Sequence, residues 1–179
     1  MPNYAMLSAI GRDRPGIAAG VSGILFEKGC NIEDSTMARL GGDFAIMLML
    51  RLPEGTTVRQ IEQELAPLRD DLKLTIQLTD LRPEDAMEAP GVPKHVVSVY
   101  GADKKGIVAK ITRHLADHSV NITNLTTHVV HHAEPLYIML IEVEIPPYVD
   151  SDTLAAELAD VGGQIDVRVS MRPKDETAA

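Results

Sequence analysis

Apolar residues recur along the chain at two alternating spacings, one typical of strands and one typical of helices. Short apolar runs such as Tyr4–Ile10 predict strands, whereas Ile17 and Val21 recur at the spacing of a buried helix face. Gly29 stands where a helix can end in a left-handed conformation. The first half is predicted to contain strands at 4–10, 31–40, 43–52 and 72–79, a helix with Pro15 in its first turn, a hairpin turn at Gly41-Gly42 and a second helix around 58–68.

The second half repeats the same order of elements. Its pattern predicts strands at 95–100, 120–130, 136–145 and 164–171, with helices at 105–118 and 151–161. The order βαββαβ is that of a ferredoxin-like unit. We therefore predict an α+β protein with two such domains in tandem, each an antiparallel four-stranded sheet with both helices on one face.

The repeat is also visible in the residues themselves. A shift of 90 positions aligns Ser8–Thr36 with Ser98–Thr126 without a gap, and ten of the 29 pairs are identical. The segment between the copies holds three prolines, which is typical of a linker. This predicts a first domain at 1–81, a linker at 82–93, a second domain at 94–172 and a frayed tail at 173–179.

The third strand of each half is apolar on both faces. Ile46, Leu48 and Leu50 alternate with Met47 and Met49, and the second half shows the same alternation over 136–143. A sheet with helices on one side needs only one apolar face. We expect the other face to be covered, either by the sister domain or by a second chain in a homodimer.

A G-x-D-x-x-G-I motif occurs once in each half, between the first strand and the first helix. Glycine permits backbone conformations that other residues resist, and it leaves room for close approach. We interpret Gly11 and Gly101 as serving the first purpose. Gly16 and Gly106 are interpreted as serving the second, at the start of the helix.

Two interpretations of these loops remain open. The N–H groups of a helix N-terminus can hold a carboxylate, Asp13 and Asp103 can accept from an ammonium group, and Asn31 and Asn121 can donate and accept. Such a set suits a free amino acid. Alternatively, the aspartates are N-caps, and the glycines and asparagines only shape the turns. Taken alone, the motif favours the structural interpretation.

The string GRDRPGIAAGVSGILFEKGCNIED resembles the ACT domain, a small regulatory ligand-binding module, and in particular the first such domain of the glycine cleavage system transcriptional repressor family. The resemblance covers nearly the whole chain, although the second copy matches only as a generic ACT domain. It implies a non-enzymatic regulator with a small amino acid, of the glycine or serine class, bound at a domain–domain interface.

The resemblance also implies which residues meet the ligand. They are those of the loop before the first helix and those entering the second strand. The second loop departs from the first, because Lys104 and Lys105 replace Arg14 and Pro15 and add two ammonium groups. The implied ligand-binding residues are Gly11, Arg12, Asp13, Arg14, Pro15, Gly16, Ile17, Asn31 and Ile32, with Gly101, Asp103, Gly106, Ile107, Asn121 and Ile122 in the second copy.

Composition and charge narrow the possible functions. The net charge is −9, and both halves are acidic, with −5 over residues 1–90 and −4 over 91–179. Direct nucleic-acid binding is not expected, because neither half has the Lys and Arg excess that phosphate contacts need. No apolar run is long enough to cross a membrane. The single cysteine, Cys30, fits a reducing compartment, and we expect a cytoplasmic protein.

No residues in the sequence suggest catalysis, a cofactor or a metal site. Cys30 lacks an evident base and is interpreted as a packed residue. His114 and His118 lie four residues apart, and His128, His131 and His132 cluster at a hairpin, but no Cys or carboxylate partner is close in sequence. We expect these histidines to be solvated or partly buried.

Three functions remain as hypotheses. The resemblance implies repression of glycine cleavage genes, and the acidic charge implies that this would act through a protein partner such as a DNA-bound activator. The alternative is an accessory subunit that docks on a metabolic enzyme and makes it sensitive to an amino acid. A small enzyme is the third hypothesis and has the least support in the sequence.

Overall fold

The structure is a computed structural model that describes residues 3–82, 92–130 and 135–174. The chain folds into two compact units, Met1–Glu88 and Ala89–Ala179. Most of the predicted linker and of the tail, together with His131 and His132, lies outside the described residues. Within the described residues, no helix is both long enough and apolar enough to span a membrane.

The first unit has the βαββαβ order that the sequence predicts. Its sheet is antiparallel, with the strand order β2-β3-β1-β4. The central pair β1 and β3 places Leu7 opposite Leu48. The elements are β1 (Asn3–Arg12), α1 (Ile17–Glu27), β2 (Asn31–Leu40), β3 (Asp43–Leu52), α2 (Val58–Leu72) and β4 (Thr75–Leu81).

The second unit repeats this architecture, with the antiparallel strand order β6-β7-β5-β8. Val97 of β5 lies opposite Ile141 of β7. The elements are β5 (Lys94–Ala102), α3 (Ile107–Asp117), β6 (Asn121–Val130), β7 (Leu136–Glu144), α4 (Ser151–Gly163) and β8 (Val167–Pro173). The predicted fold class, two ferredoxin-like domains in tandem, is confirmed.

Each unit buries one face of its sheet beneath its two helices. In β3, Ile46, Leu48 and Leu50 are buried, whereas Met47 on the opposite face is 47% exposed. In β7, Met139, Ile141 and Val143 are buried while Leu140 is 41% exposed. The alternation predicted from the sequence is therefore present, and the covering of the second face stays a prediction.

Several element boundaries differ from the predicted ones. Leu72 ends α2 rather than opening β4, because it continues the helical series of Leu65 and Leu68, and Lys73 then reverses the backbone with φ 53°. The final strand likewise begins later than predicted, at Val167, after Asp166 with φ 55°. The alternation of apolar and polar residues does not show at which residue the backbone adopts a left-handed conformation and ends a helix.

Candidate ligand-binding site

The turn from β1 into α1 leaves the start of the helix without a side-chain cap. The N-cap is Gly16, with φ 96° and ψ −11°. The Gly20 N–H donates to the Gly16 carbonyl over 2.8 Å, so the preceding N–H groups of Ile17–Ala19 have no intrahelical acceptor. The interpretation of Asp13 as an N-cap is wrong, and Pro15 lies before the helix rather than in its first turn. Equivalently, Gly106 and not Asp103 caps α3.

Asp13 is held by the β2–β3 hairpin instead of by the helix. Its N–H donates to the Gly42 carbonyl over 3.0 Å, and its Oδ2 lies 3.4 Å from Nη1 of Arg39. Arg12 makes a longer pair with Asp43, at 3.7 Å between Nε and Oδ1. Both pairs are largely exposed, so their attraction is weak and easily exchanged for another partner.

A cleft of about 550 Å³ opens between the start of α1 and the end of β2. Uncapped N–H groups and the positive end of the helix dipole favour a negative charge there. Arg14 and Arg39 add cationic charge, and Asp13 contributes the opposite sign. The cleft is lined by Asp13, Arg14, Gly16, Ile17, Ala18, Ala19, Met37, Ala38, Arg39 and Phe44.

In each copy of the motif the first glycine serves close packing rather than an unusual backbone conformation, and the second glycine is the one with positive φ. A Cβ on Gly11 would lie 2.7 Å from Cδ2 of Leu74, and one on Gly101 would lie 3.0 Å from Cα of Val167. These glycines therefore allow close strand packing. Gly16 and Gly106 have open space around them but adopt φ values of 96° and 91°, which favour glycine.

Asn31 and Ile32 do not lie in this cleft. They line a second one of about 500 Å³ beside the later part of α1, and only Ala19 lines both. Asn31 Nδ2 donates to Oε1 of Glu33 over 2.8 Å. Since Arg39 comes eight positions after Asn31 in β2, the two residues lie about 25 Å apart along the strand. One domain alone therefore does not bring the two predicted parts of the site together.

The corresponding loop of the second unit carries different charge contacts. Lys104 Nζ lies 2.7 Å from Oδ2 of Asp166, and this hydrogen bond lowers the pKa of the Asp166 carboxyl. Burial, and secondarily the charge of Asp103, raises the pKa of Tyr137, which occupies the place of Phe44. Asn121 donates to Glu144 over 3.2 Å. The remaining predicted residues of the second copy lie at positions equivalent to those of the first copy, in β5, at the start of α3 and in β6. These residues are Gly101, Gly106, Ile107 and Ile122.

Sequence reasoning missed the contribution of the β2–β3 hairpin to the cleft. Met37, Arg39 and Phe44 line it, because β3 begins opposite the end of β1, with Arg12 paired to Asp43. The predicted order of strands was a signal that could have shown this contribution. In this strand order the hairpin must return beside the β1–α1 turn.

The fold also shows the surroundings of Cys30 and of the histidine pair His114 and His118. Cys30 is half-buried against the first core, and burial raises the pKa of its thiol, as suits a packed residue. His114 and His118 meet a carboxylate that the sequence does not place near them. It belongs to Glu157 of α4.

Comparison with protein families gives two matches to this chain. The ACT domain matches residues 3–79 and again residues 95–172. These two ranges correspond to the two sheets described above.

Among the curated relatives, a transcriptional repressor matches across both copies. The glycine cleavage system transcriptional repressor of Escherichia coli strain K12 is 33% identical over 129 residues, which cover 70% of this chain and 64% of that relative. The match thus spans slightly less than two thirds of the relative's length.

Solved structures share the fold along nearly the full length. A crystal structure of an unknown protein from Galdieria sulphuraria has a TM-score of 0.83 at 25% identity, covering 98% of this chain and 100% of that one. A candidate glycine cleavage system transcriptional repressor has a TM-score of 0.73 at 21% identity, covering 98% of this chain and 99% of that one. The second likeness shows the fold alone.

Proposed function

The chain belongs to the ACT domain family, and on that basis we propose that it is a non-enzymatic regulator that binds a small amino acid of the glycine or serine class. The observation that carries the proposal is the uncapped start of α1 beside Asp13. A free amino acid carries one negative and one positive group on a single carbon. The cleft offers a complementary group to each of them.

The binding mode follows from the donors and acceptors of the cleft. The ligand carboxylate accepts from the N–H groups of Ile17–Ala19, with Arg14 adding positive charge. The ligand ammonium takes the place of the Arg39 guanidinium beside Asp13. The Asp13–Arg39 ion pair is weak, because its atoms are 3.4 Å apart and accessible to solvent. The ligand side chain then faces Met37 and Phe44.

A second copy of the chain supplies the missing asparagine in this proposal. All ten residues of β2 are exposed, and it is an edge strand, so its backbone is available for pairing. Antiparallel pairing of two β2 edges sets the Asn31 end of one strand beside the Arg39 end of the other. In that register Asp34 lies opposite Thr36, whereas parallel in-register pairing would set Asp34 beside Asp34 and Arg39 beside Arg39. The resulting homodimer has two equal sites.

The regulator acts through a protein partner in this proposal. The relative from Escherichia coli is a transcriptional repressor, while the net charge of −9 disfavours contact with nucleic acid. We propose that the partner is a transcription activator. Recovery of a metabolic enzyme instead, in a pull-down with and without glycine, would favour the accessory-subunit alternative.

Calorimetric titration with glycine, serine and alanine tests the ligand proposal. Since Asp13 does not cap the helix, Asp13→Asn removes charge from the cleft and leaves α1 intact. We expect it to weaken binding by about 1.5–3 kcal/mol, the range for a hydrogen bond to a charged group. Asp71→Asn, an exposed carboxylate on α2, is the matched control and should bind as the wild type does. Absence of heat with wild type for every amino acid would reject the site.

A further inference from the structure

Three polar side chains converge between the two helices of the second unit. His114 and His118 lie one turn apart on α3, with ring centroids 4.6 Å apart. Glu157 reaches them from α4. Its Oε2 lies 3.2 Å from Nε2 of His114 and 2.9 Å from Nε2 of His118. All three nitrogen and oxygen atoms lie within 4.8 Å of one another.

The hydrogen bonding of His118 directs a lone pair toward this point. Its Nδ1 lies 3.0 Å from the His114 carbonyl oxygen, and a carbonyl can only accept, so the Nδ1 carries the proton. In the neutral ring, Nε2 then has the lone pair and faces Glu157. A histidine held by a backbone carbonyl through its other nitrogen is the usual arrangement of a metal ligand.

Two of the converging atoms lack a hydrogen-bond partner. In the described part of the chain, His114 Nε2 and Glu157 Oε2 are buried atoms without one. Buried polar atoms normally have a partner, and coordination to a bound ion is one way in which such an atom is satisfied. The two atoms lie 3.2 Å from each other, so a cation bound between the ring and the carboxylate would satisfy both of them.

We propose that His114, His118 and Glu157 bind a divalent transition-metal ion, for which Zn²⁺ is the best match. Two histidines and one carboxylate form a known zinc donor set that leaves a fourth position open. With metal–ligand distances of about 2.1 Å, tetrahedral ligand atoms lie roughly 3.4 Å apart. The separations of 2.9 and 3.2 Å are about 0.2–0.5 Å shorter than that value, and the three ligand atoms all lie within 4.8 Å of one another.

The site joins two elements that are otherwise connected by apolar packing. The ion would link the last turn of α3 to the middle of α4, beside the buried Leu115 and Leu158. The side chain of Glu157 is 42% exposed, so an ion can enter from solvent. The proposal reverses the expectation from sequence spacing, because the carboxylate comes from a helix some forty residues away.

Cobalt and zinc titrations of the metal-stripped full chain test the proposal. We expect one equivalent of Co²⁺ to give the intense visible absorption of a four-coordinate site, and Zn²⁺ to displace it. His114→Ala and Glu157→Gln should each weaken Zn²⁺ binding by at least about tenfold, the effect of losing even an outer-sphere partner. His128→Ala, on β6 and outside the cluster, should bind as the wild type does.

The variants are chosen to separate metal binding from folding. His118→Ala is not used as the main variant, because the His118 ring also makes a hydrogen bond with the His114 carbonyl at the end of α3. Far-UV circular dichroism checks that His114→Ala and Glu157→Gln fold. If either does not fold, the wild-type Co²⁺ spectrum decides alone. Absence of one-equivalent binding by wild type, or unchanged affinity in both folded variants, would overturn the proposal and leave an ordinary His–Glu contact.

Discussion

A pair of glycine substitutions in the first unit is expected to have opposite effects on stability. Gly16, at the start of α1, has φ 96° and nothing within 4 Å of an added Cβ. Gly23, inside the same helix, also has nothing within 4 Å of an added Cβ but has no positive φ. Space is therefore equal at the two positions, and only the backbone conformation differs.

The magnitudes follow from that difference. Placing alanine in a left-handed conformation costs about 1–2 kcal/mol, partly offset by roughly 0.4–1 kcal/mol from the lower entropy of the unfolded chain. Gly16→Ala should thus destabilise the unit by about 1 kcal/mol. Gly23→Ala should stabilise it by about 0.5–1 kcal/mol, because glycine is unfavourable inside a helix.

Scanning calorimetry of the full chain measures both effects. For a unit of this size, 1 kcal/mol shifts Tm by roughly 4–8 °C. Gly16→Ala should lower the transition of the first unit and Gly23→Ala should raise it, whereas Gly106→Ala, with φ 91°, should lower the transition of the second unit. A Gly16→Ala protein as stable as Gly23→Ala would refute the left-handed assignment of the turn.

Three further predictions concern separate parts of the chain. Thr57→Ala removes the capping box with Gln60 at the start of α2 and should cost about 1 kcal/mol, measured by calorimetry. Asp166→Asn keeps a residue that tolerates φ 55° but loses the Lys104 pair. Since that pair lowers the pKa of Asp166, its stabilisation is present above the unfolded pKa of about 3.9 and is lost as pH falls through the folded pKa, so the Tm gap to wild type should close as the carboxyl becomes protonated. The protein should not retard duplex DNA at physiological salt, and a mobility shift that weakens steeply with added salt would contradict this.

The sequence predicts the fold almost completely because periodicity and repetition act together. The predicted bounds of β2 and β3 are the observed ones, because Gly29 precedes β2 and Gly41-Gly42 mark the turn between the two strands. The late starts of β4 and β8 fall where a non-glycine residue adopts positive φ, at Lys73 and Asp166. Nothing in the identity of a lysine signals that conformation, which the end of the helix imposes.

The site is less predictable because it depends on which elements meet in space. The loop residues Asp13, Arg14 and Gly16 were identified from the motif, whereas Arg39 enters the cleft only through the hairpin. Asn31 was grouped with the loop but lines a different cleft. Glu157 joins the two histidines only because α3 and α4 pack side by side, which spacing along the chain does not show.

Complementation between two variants with weakened binding tests the shared site most directly. Co-expressed Asp13→Asn and Asn31→Ala chains form mixed dimers in which one site carries both substitutions and the other carries neither. Glycine or serine titration should then recover wild-type affinity at about a quarter of the sites, the share that random pairing in a two-fold dimer gives. If the mixture binds no better than either variant alone, while both variants remain dimeric, the site is not shared between two β2 edges and the account is contradicted.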